Sequence, residues 1–416
     1  MTGENQCRPR PGRRLPFSLP PREGEPFASY IERLAQDLAV SPATILTATG
    51  IGERASPFKL PRAYGVTLSS HKLESFAHAT SLSVEQVRAT LLIGLAGVAF
   101  ETPPAVGPDQ LLRWLYQRWV YVSASHFCPA CLRERGGAWR LDWKLPWSYA
   151  CVRHCCLLIG VCPSCGRRTG TGRPDRRSAP NYLAAIPQPG MCANPPCAGA
   201  GKTGRAARPC GYPLADASAV DLTDQPRILR AQQLLNVALA GHQVRVVGET
   251  VLTEEYFGAM RSLCALFLYA ADRDALDEVS TALGDAFDTH ATKRAGIDQE
   301  RLLRIGAGED GRRGPRTRCY GHAPQDPALM AAIAPTALRM LAAGSQEALA
   351  FEIAPLVARA AARNRDYASL IPRDFSFSPQ LRYAYQANLA SARAAGRSPR
   401  RLQGARAPGG NPKRLK

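Results

Sequence analysis

Cysteine spacing is where the sequence first suggests chemistry. Ten of its thirteen cysteines, at 128, 131, 151, 155, 156, 162, 165, 192, 197 and 210, fall inside one 83-residue stretch. Zinc takes four ligands in a tetrahedron, and a Cys-x-x-Cys knuckle presents two thiolates from a single tight turn. Cys128-Pro-Ala-Cys131, followed after nineteen residues by Cys151-Val-Arg-His154, reads as a three-cysteine, one-histidine site. A third knuckle, Cys162-Pro-Ser-Cys165-Gly166, follows directly, and its glycine suits the left-handed turn of such knuckles. Cys210-Gly211 repeats that Cys-Gly signature and joins Cys162 and Cys165 as a ligand. The fourth position falls to Cys192, with Cys197 as the alternative. Cys155 and Cys156 sit in the apolar run Cys-Cys-Leu-Leu-Ile and read as buried free thiols. Cys7, Cys264 and Cys319 stand alone and receive no role.

The expected cofactor is therefore two structural Zn2+ ions. Each site has a full protein ligand set with no position left for water, and no His-Glu-x-x-His helix accompanies it. No catalytic residue is assigned. Gly199-Ala-Gly201-Lys202-Thr203 imitates the end of a phosphate-binding loop, but Pro196 replaces the required first glycine and no hydrophobic strand leads into it. No Gly-x-Ser-x-Gly elbow and no carboxylate cluster suited to a two-metal nuclease stands out.

The segments that must position these ligands divide the chain. Residues 1–26 form a basic Pro/Arg-rich arm. Residues 27–122 form a helical domain with helix–turn–helix-like pairs, and residues 123–215 a double zinc-binding domain. A C-terminal helical domain spans 216–390, and 391–416 is a basic disordered tail with nine Lys or Arg from 375 onward and no acidic residue after Asp374. The fold class is mainly α with small β: helical, then a zinc-ribbon or zinc-finger pair, then helical again. Between the first two knuckles, RGGAWRLDWKLPWSYA alternates enough to supply short strands, with Trp139, Trp143 and Trp147 shielding the metal.

In the helical segment one spacing occurs twice. Ala35 to Ile45 and Ala77 to Val87 each place a small residue in a first helix, another small residue four later, a serine opening the next helix and an apolar residue packing back. Ser83 with Gln86 has the capping-box spacing. Residues in or beside the second helix of each pair, Ser41, Thr44, Thr47, Ser83, Gln86 and Arg88, are the candidates to face a DNA groove.

Charge points to the same partner. The 53 Lys and Arg outnumber 34 Asp and Glu, giving a formal net charge of +19. That balance argues against a typical acidic cytosolic enzyme and favours a polyanion as partner. The basic loops inside the cysteine region add eight Lys or Arg between 167 and 208 against the single Asp175. The longest apolar run, Leu91 to Phe100, is ten residues, about half a membrane span. With no secretory signal, the expected location is cytoplasmic, where a reducing environment favours metal binding over disulfides.

These residues also carry a family resemblance. Leu15-Pro16-Phe17, Gly24-Glu25-Pro26-Phe27-Ala28-Ser29-Tyr30 and Arg33-Leu34-Ala35 resemble the opening of TniQ-family transposition proteins. Phe127-Cys128-Pro129-Ala130-Cys131-Leu132, Trp139-Arg140-Leu141-Asp142-Trp143 and Cys151-Val152-Arg153-His154 are similar to that family's central zinc finger. Cys162 to Gly166 and Cys210-Gly211-Tyr212-Pro213-Leu214-Ala215 continue the likeness, which covers roughly residues 15 to 215. The resemblance implies a non-enzymatic, DNA-binding adaptor of a transposition machinery. Such an adaptor helps select the target site and recruits an AAA+ ATPase and its transposase, in some cases through a targeting complex or as a homodimer. The alternative is a zinc-containing helix–turn–helix transcription regulator unconnected with transposition. Cys155-Cys156 after His154, where a glycine-like residue is usual, and the enlarged loop carrying Cys197 depart from the family pattern.

Overall fold

The computed structural model describes residues 14–52, 60–170, 183–195, 209–306, 323–364 and 368–395. Cys197, the Gly199–Thr203 segment and most of the basic tail lie outside these residues. The described chain is mainly helical, with two small antiparallel hairpins. Among the described residues no helix is long and apolar enough to cross a membrane.

Four short helices, α1 (Phe27–Asp37), α2 (Pro42–Ala48), α3 (Ser70–Thr80) and α4 (Val84–Ala89), close over one core. Phe27, Tyr30, Ile31, Leu34 and Phe76 fill it, with Phe27 and Phe76 rings 5.0 Å apart. The repeated spacing of the sequence becomes a repeated turn. Val40 N–H donates to Ala35 C=O at 2.9 Å, and Leu82 N–H to Ala77 C=O at 3.1 Å. Ala39 and Ser81 adopt left-handed φ of 51° and 58° between those partners, the usual way for a chain to leave a helix. Ser41 then caps α2, its Oγ accepting from Thr44 N–H at 3.2 Å. Ser83 and Gln86 form the full capping box of α4. Ile45 and Val87 are buried against the first helix of each pair.

The described part of the N-terminal arm is extended and pinned to these helices. Leu15 N–H donates to Ala79 C=O, and the Tyr30 hydroxyl to Leu19 C=O at 2.8 Å.

A larger core occupies the C-terminal half. It contains α7 (Pro226–Leu239), α8 (Thr253–Ala270), α9 (Thr281–Gly306), α10 (Pro327–Leu341), α11 (Gln346–Arg363), the one-turn α12 (Ile371–Asp374) and α13 (Pro379–Ala395). Helices α8 and α10 are apolar on nearly every side and run through the middle, as a helix without a polar face must. A short hairpin, β3 (Val244–Val246) with β4 (Glu249–Val251), bridges α7 and α8.

The stretch following the four-helix core packs differently from the grouping drawn at residue 122. Helix α5 (Pro108–Gln117) and Trp119, Val120 and Val122 bury their apolar faces in the C-terminal core, which also takes Ala63 and Val66, while the core of the four short helices is drawn chiefly from residues 27–91. The tryptophan expectation also needs correction. Trp147 leaves the metal region and stacks between Trp119, 5.9 Å away, and Phe257, 5.5 Å away.

A titration follows from the packing around α9. Burial lowers the His290 pKa, outweighing the Leu268 carbonyl that accepts from its Nε2 at 3.0 Å. The neighbouring Arg294, Arg363 and Lys293 charges lower it further. The folded state thus binds this proton less readily than the unfolded chain. Its contribution is complete above the ordinary histidine value of about 6.5 and is lost as pH falls through the lowered folded value. Denaturant titrations at pH 7 and pH 5 should show a smaller acid loss of stability for His290→Gln than for wild type. An equal loss in both proteins contradicts this reading.

Two candidate metal centres

The first centre is built by a one-and-a-half-turn helix and a hairpin. Pro129, placed at the first helical position, starts α6 (Pro129–Glu134) with its fixed φ. Cys128 is therefore the N-cap and Cys131 lies one turn on, with Cys131 N–H donating to Cys128 Sγ at 3.5 Å. Strands β1 (Ala150–Cys151) and β2 (Cys156–Leu157) pair in register, Cys151 opposite Cys156. The turn between them carries His154, and Cys155 closes it in the left-handed region at φ 45°. The segment between the knuckles supplies no strand before Ala150. It forms a single 3-10 turn, Asp142–Lys144, because its apolar residues wrap two cores instead of lining one sheet face.

Four ligand atoms converge here. His154 Nδ1 lies 3.4, 3.3 and 3.4 Å from the sulfurs of Cys128, Cys131 and Cys151, and Cys131 Sγ is 3.6 Å from Cys151 Sγ. On the far side of the ring, Nε2 donates to Glu134 Oε1 at 3.0 Å. A carboxylate there fixes the tautomer that leaves Nδ1 free to ligate. Burial would lower the His154 pKa, but Glu134 and the Cys151 sulfur reverse that and raise it to about 9. The Cys131 thiol hydrogen bond is the main influence lowering Cys128 to about 7, toward the thiolate form.

The second centre joins two knuckle turns. Gly166 and Gly211 both take left-handed φ, 65° and 67°. Gly166 N–H donates to Cys162 C=O at 2.9 Å and Gly211 N–H to Cys192 C=O at 3.0 Å. Cys162 Sγ lies 3.8 Å from Cys210 Sγ, and Cys165 Sγ 3.8 Å from Cys192 Sγ. Asn194 Nδ2 donates to Cys165 Sγ at 3.5 Å and to Arg168 C=O at 3.0 Å, steadying the open side. Within each cluster all four ligand atoms lie within 4.8 Å of one another.

Both donor sets suit zinc. With Zn–S bonds of about 2.3 Å, a tetrahedron separates two sulfurs by about 3.8 Å. The observed sulfur pairs stand at 3.6 to 3.8 Å. Seven cysteines and one imidazole are soft and borderline donors, wrong for calcium or magnesium. The structure brings together Cys128, Cys131, Cys151 and His154, and separately Cys162, Cys165, Cys192 and Cys210. The expectation of a buried free thiol holds at 156 and fails at 155 in its burial. Cys155 is half-buried with its Sγ on Val152 C=O, while Cys156 is buried with its Sγ 3.7 Å from Cys128 Sγ.

Three joints tie these centres to the rest of the chain. On the N-terminal side, the buried Glu25 carboxylate accepts from Arg33 Nε at 3.1 Å, Arg33 Nη2 at 2.8 Å, Ser29 Oγ at 2.9 Å and Arg22 N–H at 2.9 Å. Ser29 Oγ in turn accepts from Trp139 N–H at 3.1 Å, and Leu141 N–H donates to Gly24 C=O at 2.7 Å. On the C-terminal side, the fully buried Gln232 of α7 accepts from Tyr149 N–H and Ala150 N–H at 2.9 and 3.0 Å and donates to Trp147 C=O at 2.9 Å. Between the centres, Gly137 at φ 79° lets the loops touch. A Cβ there would stand 2.3 Å from the Pro189 carbonyl carbon.

Glu134, Asn194 and Gln232 went unnoticed in the sequence. Glu134, one helical turn after Cys131, was the only one with a local signal.

The six candidate DNA-facing residues are placed unequally. Thr44, Ser83, Gln86 and Arg88 are exposed, Ser41 is half-buried, and the Thr47 hydroxyl is buried. Ser41 and Thr44 hydroxyls bond each other at 3.0 Å, and Ser83 and Gln86 are engaged in their capping box.

Comparison with known proteins meets the same residues. No curated protein matches the chain. A family model described as TniQ matches residues 16–158, which takes in the Glu25 joint, the four-helix core and the whole of the first cluster. Proteins of that family are non-catalytic adaptors implicated in choosing transposition target sites. Residues 16–158 thus form a TniQ-family domain within a larger chain of 416 residues.

Proposed function

We propose that this protein is a zinc-braced, DNA-binding adaptor of a transposition machinery, helping to select the insertion site and recruiting the AAA+ ATPase that delivers the transposase. The observation that carries this reading is the coincidence of the TniQ-family match with the first metal cluster and the joint that docks the helix pairs on it. Cys128, Cys131, Cys151 and His154 would hold one zinc, and Cys162, Cys165, Cys192 and Cys210 the second. Bound zinc supplies rigidity alone: it locks knuckle turns that are too short to hold a shape by burial. The protein's own side chains then set the pose of the two helical bodies on either side.

Affinity for DNA in this reading comes from charge, with a net +19 and exposed basic side chains such as Arg88 beside the second helix pair. Thr44, Ser83, Gln86 and Arg88 are the exposed members of the candidate reading set, and Arg88 is the one of these not engaged in capping its own helix. Binding to duplex DNA should weaken steeply with salt, with a log–log slope of about −0.9 for each phosphate neutralised. A slope of about −1 or shallower overturns the electrostatic part of the proposal. Recruitment is tested by pull-down of an AAA+ transposition ATPase with the purified protein, with and without DNA. Retention of the ATPase supports the adaptor reading, and its absence under both conditions contradicts it.

A further inference from the structure

The first centre holds one thiol more than a tetrahedral ion needs. We propose that Cys156 is a reserve ligand that takes the place of His154, giving this centre a second, all-cysteine mode of holding zinc. The inference rests on the reading of the cluster as a zinc site.

Position argues for it first. Cys156 Sγ is 3.7 Å from Cys128 Sγ, the separation of two sulfurs sharing one tetrahedral zinc. Cys156 pairs directly across the hairpin from Cys151, so the two side chains share one face. Cys155 lacks this placement, its Sγ turned to the Val152 carbonyl on the other side of the turn. Cys156 also sits on a strand, anchored by its own pairing to Cys151 and by the adjoining Leu157 N–H to Val220 C=O bond at 2.9 Å.

His154 is the member able to leave. It projects from the turn, is the ligand with an outer partner in Glu134, and opens with Cys156 onto a shallow cleft between α6 and residues 215–219. In the resident state the Cys156 S–H donates to the Cys128 sulfur. In the exchange, the bond to His154 Nδ1 breaks and one to Cys156 Sγ forms. The thiol proton passes to Nδ1, and the resulting imidazolium keeps its Nε2–H on the Glu134 carboxylate. Atoms and charge balance with no further reactant. Arg153, whose guanidinium is 3.1 Å from the other Glu134 oxygen, keeps that carboxylate at the rim.

Full-length protein loaded with Co2+ tests this through metal stoichiometry and the visible ligand-field bands, since thiolate is a weaker-field ligand than imidazole. Wild type and Cys156→Ser should each hold two ions with the same spectrum. His154→Ala should still hold two, with its bands moved to longer wavelength and its near-ultraviolet sulfur-to-Co2+ charge-transfer absorption raised by one further thiolate, and His154→Ala/Cys156→Ser should hold one. The proposal is overturned if His154→Ala alone falls to one ion or unfolds. It is equally overturned if His154→Ala keeps two ions with no added sulfur-to-Co2+ charge-transfer absorption in the near ultraviolet, because water has then replaced the imidazole. Loss of an ion in Cys156→Ser alone also overturns it, by making Cys156 a resident ligand. Wild type holding no metal would overturn the zinc reading itself, and the reserve with it.

Discussion

Serine at both Cys128 and Cys131 should lower the metal content by one ion per chain and unfold the centre of the molecule. Both arms of a knuckle go, so Cys156 cannot restore a four-ligand set. Structural zinc in small modules contributes an apparent 10–16 kcal/mol, roughly the whole net stability of an ordinary domain, about 5–15 kcal/mol. Little else holds this region. Strands β1 and β2 are two residues each, and the local apolar cluster is formed around the cysteines themselves with Phe127, Trp139 and Trp143. Loss of the metal should therefore expose Trp139 and Trp143, now nearly fully buried, and shift their fluorescence to the red. The C-terminal core, filled by α8 and α10, should keep its helicity, so far-ultraviolet ellipticity falls only in part. A double variant that retains two ions, or loses one with unchanged fluorescence, contradicts the assignment.

Glu25→Gln is expected to cost about 3–5 kcal/mol, the usual penalty for breaking a buried ion pair from one side. The carboxylate is fully buried and takes four hydrogen bonds, two from Arg33, whose own side chain is 8% exposed. An amide offers one acceptor oxygen, so the guanidinium is left buried beside an NH2 group. The pair is expected to be specific in orientation more than strong in net terms. Glu25→Leu/Arg33→Met should then cost less than Glu25→Gln alone, since removing both charges also removes their desolvation. Denaturant unfolding of the metal-loaded proteins measures all three. A cost below about 1 kcal/mol for Glu25→Gln would mean that this joint does not fix the helical unit to the zinc platform.

What was legible in the sequence was local. The ligand spacing needs only a turn and a hairpin to become geometry, and among the described residues, which do not include the alternative Cys197, Cys192 groups with Cys162, Cys165 and Cys210. The doubled helix-pair spacing was legible for the same reason, since Ala35 to Ile45 and Ala77 to Val87 each encode a turn in eleven residues. The joints were not. Ser29 meets Trp139 and Gln232 meets Tyr149 across about a hundred residues of chain, and nothing local marks either as paired. Trp147 shows the same limit: an aromatic side chain announces burial but not which core receives it, and only three residues separate it from Trp143 of the other core. Glu25, Ser29 and Arg33 were visible as a family signature, and the structure supplies its physical content: a buried clasp, not a reading head.

The idea on which these readings depend is that two bound zinc ions hold the helical bodies in one fixed arrangement. The direct measurement is metal analysis of the purified full-length protein, paired with solution scattering before and after stringent chelation. Two zinc ions per chain, and an increase in the radius of gyration once they are stripped, is the predicted result. A protein that carries no transition metal, or that gives the same scattering profile after its zinc is gone, would contradict it.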